Sequence, residues 1–266
     1  MRRFLIFIAA ATLAMPAFAG TAYDFRSDST GVHKTAMAGH VEVEGKRLRM
    51  NVSEGDGRMF RSGSIVYSND GGKTLVVTTP ADKTYYELNI EDLLGSAGAM
   101  LKSMGDMVKI TFDHQKVDVR DLGAGETLQG FPTRRSLLET SYDMNIVAAG
   151  QKMGTHMAMR TESWVTDRIP TDAMNWFQTT GVRTGIEGID KLIEAQSRAT
   201  KGGFPLKQVT TMTVDRAGQK MVSTTTATVM NIATRPIAAS QFVMPPGYKK
   251  VASPLEAMMA RTRPPH

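Results

Sequence analysis

Between residues 21 and 90 apolar side chains recur at every second position, a period that dictates extended chain with one buried face. Leu48, Met50 and Val52 fall on one side, and Arg47, Arg49 and Asn51 on the other. Residues 65–67 and 75–77 flank Asn69-Asp70-Gly71-Gly72, whose glycines admit positive φ, so the two runs read as a hairpin. Tyr86, Leu88 and Ile90 then alternate against Tyr85, Glu87 and Asn89 as a third strand. Consecutive hairpins build an antiparallel sheet.

The period changes after residue 90. Ile90, Leu93, Leu94, Ala97, Leu101, Met104 and Val108 lie at helical spacing, with Glu91 and Asp92 in the first turn, where the helix dipole favours acid. Gly95 and Gly98 weaken this helix by roughly 1 kcal/mol each relative to alanine. Val108, Ile110 and Phe112 resume the alternation, and Val117 and Val119 are out of phase with them. That slip predicts a bulge or turn over 113–116. Two long strands follow, over about 131–146 and 153–165, joined near Gly150. Short helices are expected from Pro170, with Trp176 and Phe177, and over 186–198, where Glu187–Lys191 and Glu194–Arg198 are i,i+4 pairs. Strands return at 209–214, 220–230 and 238–242, and Ser253-Pro254-Leu255-Glu256 is a capping box that opens a last helix.

The first residues have a different character. Arg2 and Arg3, an apolar run over 4–13 and the small-residue pattern Ala17-Phe18-Ala19 before Gly20 read as a secretory signal peptide over 1–19. Residue 20 is glycine, not the cysteine that lipoprotein processing requires. The expectation is therefore a periplasmic or secreted protein, with residues 20–266 as a single α+β domain. The leader holds two of the six surplus positive charges, leaving about +4 (6 − 2), which offers no basis for nucleic-acid binding. The chain has no cysteine, so it must be stabilised by core burial and lacks thiolate chemistry and sulfur ligands for zinc. It has 19 methionines, two of them in the leader. Thioether side chains suit cores and also surfaces that accept varied apolar partners.

Patterns for catalysis are not found. The stretch 39–47 places Gly45-Lys46 after an earlier glycine, but its spacing is one residue too long for a phosphate loop and Arg47 replaces the magnesium-binding hydroxyl. It reads as a turn between strands. There is no Gly-x-Ser-x-Gly elbow, and His33, His40, His114 and His156 are scattered without zinc spacing. Asp121, Glu126, Glu139, Asp143, Glu162 and Asp167 offer no spacing that selects an acid–base pair. Met153, His156, Met157 and Met159 include soft donors suited to copper(I). On a regular strand, however, the three methionines share one face and His156 takes the other. No catalytic residue, metal or cofactor is expected, and a binding protein is favoured over an enzyme.

Six segments in order carry a family resemblance across nearly the whole processed chain. They are Lys46-Arg47-Leu48-Arg49-Met50, Lys83-Thr84-Tyr85-Tyr86-Glu87-Leu88, Gly130-Phe131-Pro132, Glu162-Ser163-Trp164-Val165-Thr166-Asp167, Gly203-Phe204-Pro205-Leu206-Lys207 and Phe242-Val243-Met244-Pro245-Pro246-Gly247-Tyr248-Lys249. Together they resemble an uncharacterised exported bacterial family of the LolA/LolB-like group of outer-membrane lipoprotein carriers. The resemblance implies a large curved antiparallel sheet, a half-barrel, with helices packed on its concave side. It also implies an apolar hollow for a lipid or lipoprotein acyl chain, with transient contact at a membrane surface. In this sequence Leu93, Leu94, Ala97, Leu101, Met104, Met153, Met157, Met159 and Trp164 would line that hollow. The same residues would serve equally to fill a core. The alternative function is a structural or protein-interaction module of the cell envelope that docks a partner through a sheet edge or the last helix.

Overall fold

The computed structural model describes residues 19–31, 34–55, 60–90, 92, 95, 108–148, 150–170, 190, 191, 194, 203–254, 256 and 257. The first half of the chain gives six strands: β1 (Ala19–Thr30), β2 (Thr35–Glu44), β3 (Arg47–Glu54), β4 (Ile65–Ser68), β5 (Thr74–Thr79) and β6 (Thr84–Asn89). Five long strands follow: β7 (Val108–Ala124), β8 (Arg134–Ala148), β9 (Gln151–Thr166), β10 (Phe204–Arg216) and β11 (Gln219–Pro236). The two-residue β12 (Lys249–Lys250) completes one 12-stranded sheet in the order β12-β6-β5-β4-β3-β2-β1-β11-β10-β9-β8-β7. All pairings are antiparallel except β12 with β6. The sheet is open, with β12 at one edge and β7 at the other.

Alternation in the sequence becomes a single buried row. Tyr23, Val41, Met50, Val66, Val77 and Tyr86 stand directly opposite one another across β1 to β6. All six are buried, and the first four are fully excluded from solvent. Their face is the inner face. Val43, Leu48, Leu75 and Leu88 add to it, and Phe204 and Leu206 of β10 join the same cluster. The ring of Phe204 meets Tyr23 edge-on at 5.3 Å. At roughly 1.5–3 kcal/mol per buried large apolar side chain, this half of the sheet is the main source of stability.

Local chemistry fixes the register. Asp70 accepts from Ser68 Oγ at 2.8 Å and from Thr74 N at 3.0 Å, closing the β4–β5 turn. Gly39 lies opposite Phe25, and a Cβ there would come within 2.2 Å of the Asn51 carbonyl oxygen and 2.8 Å of the Phe25 ring. Only glycine lets the aromatic ring close over the strand. Thus only Gly45-Lys46 turns the chain between β2 and β3, and Gly39 is within β2, which corrects the reading of 39–47 as a turn. The phase slip in β7 is a bulge between Asp113 and Lys116, where β7 has one residue more than β8.

Two further expectations are corrected. Residues 239–242, read as strand, form a single 3₁₀ turn (Ala239–Phe242) that buries Phe242 beneath the Arg47 guanidinium, 5.0 Å above its ring. The expected helices packed on the concave side have no support among the described residues, which are overwhelmingly strand. Ile90, Asp92 and Gly95 are helical, and the Asn89 side chain caps that start by accepting from Asp92 N at 3.0 Å. Asp190, Lys191 and Glu194 are also helical. The rest of those two helices lies outside the described residues. The capping box near the C-terminus is formed: Ser253 N donates to Glu256 Oε2 at 2.6 Å, and Glu256 N to Ser253 Oγ at 3.2 Å.

Candidate functional site

Across β7 to β11 the inner face continues, but its character changes along the strands. Where it adjoins the core Val165 and Leu206 are buried, and Leu138 is buried in the next row, opposite Thr161. Next comes a belt of hydroxyls. Thr161 and Thr210 are paired across β9 and β10, with their oxygens 3.0 Å apart, and Thr225 and Ser29 across β11 and β1, 2.7 Å apart. These hydroxyls are partnered in pairs across neighbouring strands. Beyond the belt the face is thioether and aliphatic. Thr140, Met159, Met212 and Ser223 form one row, and Tyr142, Met157, Val214 and Met221 the next. The Tyr142 and Phe112 rings lie 5.7 Å apart, and burial pushes the Tyr142 phenol above its ordinary pKa.

This face places Met153, Met157 and Met159 on one side of β9, opposite Ile146, Tyr142 and Thr140 of β8. Met157 and Met159 are half-buried and Met153 is exposed. Met153 Sδ accepts from Arg216 Nη2 at 3.2 Å. Trp164 is an even-numbered residue on the same unbroken register, so it points to the outer face, away from these methionines. There its ring lies between Lys207 Nζ at 4.5 Å and Arg135 Cζ at 5.5 Å. Leu93, Leu94, Ala97, Leu101 and Met104 lie outside the described residues. Met212, Met221, Val214 and Tyr142 belong to the same surface and were missed in the sequence. Their alternation is visible there, but not which strands lie beside β9.

The outer face is polar and internally matched. Five of the six carboxylates weighed as catalytic candidates lie against an arginine or a lysine. Glu126 meets Lys207 at 3.2 Å and Asp167 meets Arg168 at 3.6 Å, while Asp121 meets Arg134 at 3.3 Å on the face that carries Val119 and Leu138. Glu162 pairs with Arg135, and Glu139 with both Arg160 and Arg120. Donation from Arg160, aided by Arg120, holds the Glu139 carboxyl below the usual range. Asp143 stands between two imidazoles, accepting at 2.6 Å from His156 Nδ1 and at 2.7 Å from His114 Nδ1. Hydrogen bonding from His156, then His114, keeps Asp143 below its ordinary pKa. These contacts order an exposed surface. Among the described residues no group of three or more His, Asp or Glu side chains is placed to hold a metal ion. A shallow depression of about 460 Å³ crosses this face over Ser141, Ala158 and Thr213, with Lys116 and Arg160 at its margins.

No family model matches the chain, and no curated protein matches it. Two solved structures are similar to it in shape. A LolA superfamily protein from Nitrosomonas europaea is 9% identical, with 86% of this chain and 92% of that one covered, at a TM-score of 0.31. A DUF1329 family protein from Desulfovibrio piger is 10% identical, with 84% and 89% covered, at a TM-score of 0.29.

Proposed function

We propose that the chain is a non-catalytic periplasmic binding protein whose inner face, over β8 to β11, receives the acyl chain of a lipid or of an acylated partner. The observation that supports this reading is the side-by-side placement of Met157, Met159, Met212, Met221 and Val214 on one face, bordered by the hydroxyl belt. Met212 and Met221 are 38% and 41% exposed although large and apolar. A thioether surface of this kind adapts to flexible chains, because each methionine can change rotamer without opening a void. The belt offers polar atoms at one end of that surface, where a head group or ester would need them. These two rows carry no ionic side chain, and the nearest charge on the same face is Arg216, which donates to Met153 Sδ. The apolar segment containing Leu93, Leu94, Ala97, Leu101 and Met104 is the proposed cover.

The test is a pair of lysine substitutions on adjacent positions of β10. Met212→Lys puts an ammonium group on the proposed acyl surface, whereas Thr213→Lys puts it on the outer face. Binding of a fluorescent C16 fatty acid is expected to weaken more than about tenfold in the first and stay unchanged in the second, since an unpaired charge resists burial. Stability should move by no more than about 0.5 kcal/mol in either, as both are surface changes. Equal binding by the two variants would refute the assignment of this face.

A further inference from the structure

The two edges of the sheet differ in kind. One is closed by β12, a two-residue strand of Lys249 and Lys250, with Lys250 Nζ held to Glu87 at 2.6 Å. Short, lysine-bearing edges resist further pairing. The other edge is β7, 17 residues long, with no described strand on its outer side. Val117 and Val119 there are 43% and 48% exposed. Between its bulges, at 113–116 and 121–123, lies one regular stretch over 116–121 of sequence Lys-Val-Asp-Val-Arg-Asp.

We infer that this stretch pairs with itself in a second copy of the chain, antiparallel and centred on Val119. The register follows from symmetry. A two-fold axis perpendicular to a continuous sheet keeps every residue on its own face, so the axis must pass through a residue opposite its own copy. Centring on Asp118 sets Asp118 against Asp118 and Lys116 against Arg120, all repulsive. Centring on Arg120 sets that guanidinium against itself. Centring on Val117 runs into the bulge after one residue. Centring on Val119 sets Asp118 against Arg120 twice on the outer face and Val119 against Val119 on the inner face. It also keeps the whole pairing from 117 to 121 inside the regular stretch, with Val117 opposite Asp121, whose carboxylate Arg134 already holds at 3.3 Å. Asp118 and Arg120 are already held side by side at 2.9 Å, with side chains 58% and 50% exposed, so they are ordered for the second contact. The joined sheets bring the two inner faces together on one side, whether or not those faces bind a ligand.

The absence of cysteine makes the test clean, because an introduced thiol is then the sole one. Val119→Cys and Val222→Cys, the latter 44% exposed on the outer face of β11, are oxidised mildly at equal low-micromolar concentration. Covalent dimer is expected about tenfold faster from Val119→Cys. In that background Asp118→Arg should slow it by about tenfold, and Asp118→Arg with Arg120→Asp should restore it, since the double reversal recreates both charge pairs. Circular-dichroism melts of every variant confirm that the sheet is intact. Cross-linking of Val119→Cys no faster than of Val222→Cys would overturn the inference. So would a rate unmoved by Asp118→Arg, or unrestored by the double reversal.

Discussion

Two residues show how closely side-chain chemistry sets this fold. Gly39 is required because the Asn51 carbonyl and the Phe25 ring occupy the space of a Cβ. Gly39→Ala is expected to destabilise the protein by about 1–3 kcal/mol through overpacking, measured by denaturant unfolding. Asp143 is depressed by its two histidines, which fixes the sign of its pH dependence. The contribution is complete above the ordinary carboxyl value of about 3.9 and is lost as pH falls through the lower folded value. Carbon-detected NMR should find Asp143 titrating below that value, and His114→Ala with His156→Ala should raise it again. An Asp143 that titrates at the same pH in both proteins would contradict the contact. Neither feature could be read from the chain alone. Gly39 sits in an ordinary alternating run, and Asp143 meets His156 directly across β8 and β9 while His114 joins them from the β7 bulge, at φ 51°.

Strands and turns were more legible than helices and contacts. The hairpin about Asp70-Gly71, the bulge after Phe112 and the long β8–β9 pair follow from period and turn chemistry, which act over a few residues. The stretch 239–242 failed because burial of one aromatic ring, Phe242, outweighed its weak strand pattern. Trp164 is near the methionines in sequence, yet parity along β9 sends it to the other face. The capping box was legible in full, since all of its atoms lie within four residues. Ser253→Ala removes the side-chain acceptor for Glu256 N and should cost about 1 kcal/mol, detectable as a lowered midpoint in denaturant. No change would mean that the helical turn after Ser253 contributes nothing to the cooperative unit.

At the scale of the molecule, the sheet is two halves with different roles. Strands β1 to β6 bury most of their inner face and supply the core. Strands β7 to β11 continue that face into a methionine and threonine surface that is only partly covered, while their outer face matches acid to base nearly residue for residue. A large antiparallel sheet was legible from the sequence because alternation is local. The inner surface was legible only in β9, because the register that sets Met212 and Met221 near Met159 joins strands some fifty residues apart. An acyl chain on the inner face is tested by mass spectrometry of an organic extract of the protein purified without detergent. A lipid or fatty acid is expected at near-stoichiometric amount, and much less from Met212→Lys prepared in parallel. Protein that is consistently empty, and whose melting temperature does not rise with added fatty acid or lysophospholipid, would contradict it.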